Sequence, residues 1–208
     1  MKLRHTAIAA ALSLVPLGQP LVIGTGAVLT SAAVMLSVSQ KANAESAVFY
    51  YNRGTNKDNA GDYFGAINDF NKAIEINPKF YQAYYNRGNA KGGLKDYSGA
   101  IADYDKAIKL NPRDAQAYYN RGSAKNDLGD NYGAIADYNK AVEINPRYAK
   151  AYDNRGNAKA GLKDYSGAIA DYNKAVEINP KSYQAYYNRG IAKDDLGDYS
   201  GAIADYNK

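Results

Sequence analysis

The sequence predicts an all-α protein, built as a solenoid of stacked antiparallel helix pairs. The first observation behind this prediction is a glycine that recurs every 34 residues, together with almost everything around it. A fixed period of this length indicates one supersecondary unit copied along the chain. The second observation is that five such repeats align without gaps, and the third is that each contains two stretches with helical periodicity. The recurring glycines are Gly54, Gly88, Gly122, Gly156 and Gly190.

Numbering each repeat from 1 to 34 places repeats 1 to 5 at residues 47–80, 81–114, 115–148, 149–182 and 183–208, the last being incomplete. The recurring glycine is then at position 8. Alanine occupies positions 20 and 27, and proline occupies position 32. Position 24 is always aromatic: Phe70, Tyr104, Tyr138, Tyr172 and Tyr206.

Each repeat predicts two helices, over positions 2–14 and 17–30. In repeat 2 these are Gln82–Leu94 and Tyr97–Leu110. Apolar residues at positions 17, 20, 21, 24, 27 and 28 follow the spacing of an amphipathic helix. An aspartate at position 16, such as Asp96, is suited to cap the second helix, and the Asn–Pro pair at 31–32 ends it. Because one repeat cannot bury its apolar stripe alone, neighbouring repeats must stack.

Glycine at position 8, alanine at 20 and 27, an aromatic at 24 and proline at 32 resemble the pattern of the tetratricopeptide repeat, over Ala47–Lys208. The resemblance implies a right-handed α-solenoid whose first helices line a concave face that grips an extended peptide or a helix. Positions 2, 5, 6, 9, 12 and 13 would supply the contacts. Position 11 departs from the family, which usually has an aromatic there, and we expect looser packing around it. The residues at position 11 are Lys57, Lys91, Lys125, Lys159 and Lys193.

The candidate peptide-binding residues form two rows on this face. An amide offers both donors and an acceptor to a peptide unit, and a neighbouring tyrosine adds rigid, amphipathic contact area. The alternative is that the asparagines at position 6, with the arginines at position 7, form hydrogen bonds within the array. The candidates are Asn52, Asn86, Asn120, Asn154 and Asn188 at position 6, Tyr51, Tyr85, Tyr119 and Tyr187 at position 5, and Asn89 and Asn157 at position 9. In repeat 4, position 5 is Asp153.

The composition argues against catalysis. The chain has no cysteine, and its single histidine, His5, lies in the N-terminal segment. This removes Cys–His pairs, disulfides and the usual zinc sites from the repeats. Carboxylates recur at positions 16 and 23 of every repeat, as structural residues do, whereas a catalytic pair would occur once. We therefore expect no enzyme, no cofactor and no metal site.

The charge distribution argues against nucleic acid as a partner. The net charge of the whole chain is +5, but residues 45–208 hold 23 basic and 21 acidic residues, a net of +2. The two signs alternate within each repeat and form no basic run. Such a pattern lacks the basic patch that binds phosphate backbones.

Residues 1–44 differ from the repeats and predict export. A basic start with Lys2 and Arg4 precedes an uncharged stretch, and Ala42-Asn43-Ala44 stands before Glu45. These features are typical of a secretory signal peptide. The apolar part Leu21–Val38 approaches the length of a membrane span, so an uncleaved anchor is the alternative. Either way we expect the repeats in the periplasm, the thylakoid lumen or outside the cell.

The function that the sequence favours is an exported scaffold that binds a protein or peptide in the concave groove. It resembles bacterial tetratricopeptide proteins that act as assembly factors for envelope or photosynthetic complexes. The alternative is a carbohydrate or cell-wall binding module that uses tyrosine faces as sugar platforms. The family's clamp for a C-terminal dicarboxylate needs lysine at position 5, which this chain lacks, so such ligands are not expected.

Repeat 5 stops at Lys208, its position 26. We therefore expect its last helix to fray, or its apolar face to be covered by a partner or by a second copy of the chain that associates end to end.

A longer period is also present, because the residues at positions 12, 13 and 15 alternate between successive repeats. Gly92, Gly93 and Lys95 in repeat 2 resemble the residues of repeat 4, whereas repeats 1, 3 and 5 share another pattern, which gives a period of 68 residues.

Overall fold

A computed structural model describes residues 21–23, 27–29 and 31–208 of the chain. The predicted basic start of the leader, with Lys2 and Arg4, lies outside the described residues. Within them, a two-stranded antiparallel hairpin, β1 (Leu21–Ile23) and β2 (Ala27–Leu29), precedes ten helices. The helices are α1 (Ser31–Asn59), α2 (Tyr63–Ile76), α3 (Tyr81–Gly93), α4 (Tyr97–Leu110), α5 (Ala115–Asp127), α6 (Asn131–Ile144), α7 (Ala149–Gly161), α8 (Tyr165–Ile178), α9 (Tyr183–Asp195) and α10 (Tyr199–Tyr206).

The helices form five consecutive antiparallel pairs, one for each repeat, which confirms the predicted all-α solenoid. Each pair packs closely on itself, and its second helix packs on the first helix of the next repeat. The second helices of repeats 1 to 4 occupy positions 17–30, as predicted, and the first helices of repeats 2 to 5 occupy positions 1–13, one residue earlier than predicted.

The first helix of repeat 1 differs from the prediction because it begins at Ser31, well before residue 47. Residues 31–46 contain neither glycine nor proline and are rich in alanine, so nothing in them stops a helix from extending backwards. The Ala42-Asn43-Ala44 box therefore lies inside α1, on exposed residues, and Ala47 is the first of the buried core residues. Among the described residues, no helix combines the length and the apolar character needed to cross a membrane.

The turn between the two helices of a repeat is fixed by its cap and by one left-handed residue. The predicted aspartate caps are present in all five repeats: Asp96, for example, accepts a hydrogen bond from the backbone N–H of Gly99 at 2.9 Å. The residue before the cap has a positive φ, which glycine tolerates best. It is glycine in repeats 1, 3 and 5, but Lys95 (φ 62°) and Lys163 (φ 64°) in repeats 2 and 4.

The core of each repeat is a small residue packed against an aromatic ring. A Cβ atom added to Gly88 would lie 2.7 Å from the ring of Tyr104, so position 8 must be glycine for the two helices to approach this closely. Tyr104 packs in turn with Ala100 and with Ala124 of the next repeat. The same cluster recurs between every pair of adjacent repeats, which is why the array has one continuous core.

Candidate functional site

The candidate site is the face formed by positions 2, 5, 6, 9, 12 and 13 of the first helices, which we call the groove. Between repeats 2 and 3 it deepens into a cleft of about 260 Å³. The cleft is lined by Asn89, Gly92, Asn120, Ser123 and Asp127, among others, so positions 6, 9, 12 and 13 share one surface. Gly92 leaves this cleft open, since a Cβ atom built on it would have no neighbour within 4 Å.

The asparagines at position 6 connect each repeat to the one before it. The side-chain amide of Asn120 donates to the phenolic oxygen of Tyr85 at 2.9 Å, and those of Asn86 and Asn154 donate likewise to Tyr51 and Tyr119 at 3.1 and 3.0 Å. In repeat 5, Asn188 donates to a carboxylate oxygen of Asp153 at 3.2 Å. Hydrogen bonding within the array, the alternative drawn from the sequence, therefore engages the N–H half of these amides.

The side-chain oxygens of the position 6 asparagines, in contrast, remain available as hydrogen-bond acceptors in the middle repeats. Within residues 31–208, the side-chain oxygens of Asn86, Asn120 and Asn154 accept no hydrogen bond, and all three side chains are partly exposed. In repeat 5 the side-chain oxygen of Asn188 accepts from Gln184 at 2.9 Å. Three repeats in the middle of the groove thus each present one acceptor that the fold leaves unused.

The asparagines at position 9 present the complementary group. The side-chain oxygen of Asn89 accepts from the hydroxyl of Tyr104 at 2.8 Å and from Asn120 at 2.9 Å, and that of Asn157 accepts from Tyr172 at 2.8 Å. The amide N–H groups of Asn89 and Asn157 have no acceptor among the described residues. Free donors therefore lie beside the free acceptors of position 6, and a peptide backbone needs both.

The tyrosines at position 5 are held rigidly at the edge of the core. The Tyr119 ring lies 5.8 Å from that of Tyr138 and 4.9 Å from that of Tyr148, and it is partly buried. Burial raises the pKa of Tyr85 and Tyr119, and it raises the pKa of Tyr138 to about 12. These phenols therefore stay neutral at physiological pH and keep the hydroxyl that receives the asparagine bond.

The two ends of the rows differ from the middle. Asn52 is exposed, and no repeat precedes it to supply a position 5 partner. Tyr187 is 54% exposed, and no asparagine among the described residues donates to its phenolic oxygen. Repeat 2 thus contains the complete arrangement of candidate residues, whereas position 9 is Ser123 in repeat 3 and position 5 is Asp153 in repeat 4.

The position 11 lysines have a role that the sequence did not predict. In each repeat, the aspartate at position 23 is buried and receives both the arginine of position 7 and the lysine of position 11. In repeat 3, Arg121 donates to the two oxygens of Asp137 at 2.5 and 2.9 Å, and Lys125 lies 2.8 Å away. The packing at position 11 is an ion-paired network rather than the looser contact expected. The buried aspartates are Asp69, Asp103, Asp137, Asp171 and Asp205.

The arginines also join neighbouring repeats. Arg121 contacts Asp105 of repeat 2 at 2.6 Å, and its guanidinium lies over the ring of Tyr118 at 5.5 Å. The sequence carries one signal of this network, because Arg at 7, Lys at 11 and Asp at 23 occur together in every repeat. The network pairs both rows of cations with buried carboxylates of the same repeat.

The described residues contain no cluster of three or more metal-ligating side chains. The chemistry that the groove offers is therefore hydrogen bonding and contact, through neutral amides, neutral phenols and a few carboxylates.

Comparisons with known proteins identify the repeat. Sequence profiles described as tetratricopeptide repeat match residues 81–114, 115–148 and 183–208, and one described as TPR repeat matches residues 59–95 and 157–193. A search of the curated proteins finds no sequence that matches this chain.

Solved structures agree with the profiles. The chain is similar to a structure of MamA protein, with 27% identity over 78% of this chain and 89% of that one, and a TM-score of 0.74. It shares 22% identity over 81% and 87% of the two chains with YrrB, described as a TPR protein with an unusual peptide-binding site, at a TM-score of 0.68. It is also similar to the first TPR of Spaghetti (RPAP3) bound to the HSP90 peptide SRMEEVD, with 29% identity over 56% of this chain and 93% of that one, at a TM-score of 0.56. Because the matched profiles together span more than half of its residues, the chain belongs to the tetratricopeptide repeat family.

Proposed function

We propose that this chain is a non-enzymatic scaffold that binds an extended segment of a protein partner in its groove, outside the cytoplasm. The observation that carries the proposal is that the groove amides are only half used by the fold. Asn86, Asn120 and Asn154 keep a free acceptor, while Asn89 and Asn157 keep free donors. A peptide backbone laid along the groove would satisfy both kinds of group. The fold supports this use, since a related repeat protein has been solved with a peptide bound.

The alternative of a carbohydrate platform receives less support from the geometry. A sugar platform needs an open aromatic face, whereas the position 5 tyrosines of repeats 1 to 3 are partly buried against other rings. The position 4 tyrosines Tyr84, Tyr118 and Tyr152 lie against an arginine guanidinium. We therefore propose the peptide rather than the sugar as ligand.

The proposal predicts that filling the groove abolishes binding without harming the fold. Gly92→Leu places a side chain in the cleft between repeats 2 and 3, where the Cβ meets no other atom. Because glycine inside a helix costs roughly 0.5–1 kcal/mol, this variant should melt at a higher temperature while its peptide affinity falls at least about tenfold. Peptide and glycan arrays probed with the full chain provide the measurement.

The matched control is Ala136→Leu, which adds the same side chain at an exposed position of the second helix of repeat 3. It should bind peptides as the wild type does. Glycans bound in preference to peptides, or peptide binding unchanged in Gly92→Leu, would contradict the proposal.

Export is the second part of the proposal and rests on the sequence of residues 1–44. Cleavage after Ala44 would fall within the exposed residues 42–46 and keep the buried Ala47. Fractionation of the cells that make the protein, followed by N-terminal sequencing, should give either an N-terminus at Glu45 or a membrane-bound chain. An intact Met1 on a soluble cytoplasmic protein would refute export while leaving the groove untouched.

A further inference from the structure

The groove carries a charge of opposite sign to the array as a whole. Residues 45–208 have a net charge of +2, yet the groove positions of the five first helices hold five carboxylates and a single ammonium group, that of Lys150. The remaining groove residues are neutral. The carboxylates belong to Asp58, Asp127, Asp153, Asp194 and Asp195.

Two of these carboxylates, those of Asp58 and Asp153, are partly buried, whereas those of Asp127, Asp194 and Asp195 are exposed. Burial raises the pKa of Tyr172, and the nearby carboxylate of Asp153 raises it further.

Among the described residues, the fold supplies no ion-pair partner for the partly buried carboxylate of Asp153. The arginines and lysines of positions 7 and 11 are held by the buried aspartates of position 23. Among the described residues, Asp153 makes no ion pair, and Asn188 donates a hydrogen bond to it at 3.2 Å. Burial raises the pKa of Asp153, as expected for a carboxylate that lacks a cation.

A second carboxylate in the groove is also left without compensation. One side-chain oxygen of Asp58, in repeat 1, is buried and has no hydrogen-bond partner in the described part of the chain. Buried polar atoms are normally satisfied, so such an exception calls for an explanation. Both Asp58 and Asp153 would be stabilised by a cation entering the groove.

Asp153 is not required by the architecture. The other four repeats have tyrosine at position 5, and the phenols of Tyr51, Tyr85 and Tyr119 accept the same asparagine bond that Asp153 accepts. An aspartate here therefore gives up aromatic packing and leaves a desolvated charge, which is a cost that binding of a cation would offset.

We propose that the segment held in the groove is basic, and that the carboxylate of Asp153 pairs with one of its lysine or arginine side chains. The inference rests on the proposed peptide function and specifies the partner's chemistry. A basic side chain fits the net charge of the groove, the uncompensated oxygen of Asp58 and the place of Asp153 in the tyrosine row.

The test uses the full chain and a set of short, extended peptides that are blocked at both ends. Each carries arginine, lysine, leucine or glutamate at one fixed central position, with neutral residues elsewhere. Arginine or lysine peptides should bind at least about fivefold more tightly than leucine peptides, and glutamate peptides most weakly. In about 0.5 M salt the preference should shrink, because screening weakens partly exposed ion pairs.

Two variants identify the residue responsible. Asp153→Asn removes the charge at constant size, and Asp153→Tyr restores the residue of the other repeats, so its melting temperature should not fall. Both should lose most of the preference for basic peptides while still binding the leucine peptides. Glu143→Gln, at an exposed position of α6, should keep the preference.

The outcomes separate the two proposals. Basic peptides bound no better than leucine peptides, or a preference unchanged in Asp153→Asn, would overturn this inference and leave the peptide function standing. Failure of every peptide to bind would overturn the peptide function and the inference together.

Discussion

The side-chain amide of Asn120 donates to the phenolic oxygen of Tyr85 at 2.9 Å, across the boundary between repeats 2 and 3. The same amide group also reaches the side-chain oxygen of Asn89 at 2.9 Å. Both bonds join the first helices of adjacent repeats, so they fix the spacing of the groove. One bonding network therefore stabilises the array and orients the groups proposed to bind a peptide.

A double-mutant cycle on Asn120 and Tyr85 should measure this coupling. Asn120→Ala and Tyr85→Phe should each lower the free energy of unfolding by roughly 0.5–1.5 kcal/mol, and the double variant by less than their sum, because both remove the same bond. Urea denaturation followed by circular dichroism provides the values. Asn52→Ala, at the exposed start of the row, serves as the control and should change stability by less than about 0.5 kcal/mol. Equal losses of unfolding free energy in Asn52→Ala and Asn120→Ala would show that the hydrogen bond between repeats does not stabilise the fold.

Removal of the buried Asp137 carboxylate should lower the free energy of unfolding far more than removal of the Asn120 amide does. Asp137→Ala leaves the partly buried Lys125 without its partner and Arg121 with only the exposed Asp105, and the expected loss is roughly 3 kcal/mol or more. The control is Glu143→Ala, which breaks an exposed pair with Lys140 and should cost less than about 1 kcal/mol. Thermal melting of the two variants decides the matter, and similar melting temperatures would refute the proposed importance of the network.

The sequence was sufficient for the helices but not for this network. Period, caps and the Asn–Pro stops are local signals, and they placed the second helices correctly. The position 11 lysines alone predict looser packing than the family's usual aromatic, with the stem covering apolar surface and the ammonium group in water. What decides their role is Asp137 and its equivalents, which lie on the other helix of the pair and come within reach only once that pair is packed.

The contacts in the groove likewise could not be predicted from the sequence alone. The sequence placed the amides on one face, but it left open whether they bind a peptide or one another. The hydrogen bond of Asn120 spans 35 residues to Tyr85, and only the stacking of repeats reveals that it uses the N–H half of the amide. The start of α1 at Ser31 was missed for a different reason: the repeat pattern marks where packing begins, whereas a helix can extend beyond it.

The stability of the fold should depend on pH through the ion pairs of repeat 1, in which Asp69 contacts Arg53 and Lys57. The hydrogen bond from Arg53 is the main cause that lowers the pKa of Asp69, from 3.8 to about 2. Because the pKa is lower in the folded state, Asp69 contributes stability above about pH 4, on the order of 1 kcal/mol, and loses it as the pH falls toward 2. The melting-temperature difference between wild type and Asp69→Asn should therefore be largest near neutral pH, shrink as the pH falls to 2 and vanish below it. Glu75→Gln, at an exposed site on the same helix, should show no such trend, and a difference that is constant with pH would contradict the assignment.

The last helix should be the least stable part of the array. Tyr206 is 46% exposed, whereas the equivalent Tyr104 is 4% exposed and packs against Ala124 of the next repeat. Backbone amides of residues 201–208 should exchange with solvent faster than those of residues 167–174, the same positions in repeat 4. Strong protection of residues 201–208 in a demonstrated monomer would contradict this prediction. Protection that appears only at high protein concentration would instead indicate end-to-end self-association of the chain.

The central claim is that a bound peptide uses the free halves of the groove amides, and their side-chain NMR signals test it most directly. On addition of an arginine-containing peptide to the labelled full chain, the side-chain N–H signals of Asn89 and Asn157 should shift in proportion to occupancy. Those of Asn139 and Asn173, whose oxygens bind Arg155 and Arg189 outside the groove, should not move. Shifts at Asn139 and Asn173 with none at Asn89 and Asn157 would place the peptide elsewhere and contradict the account.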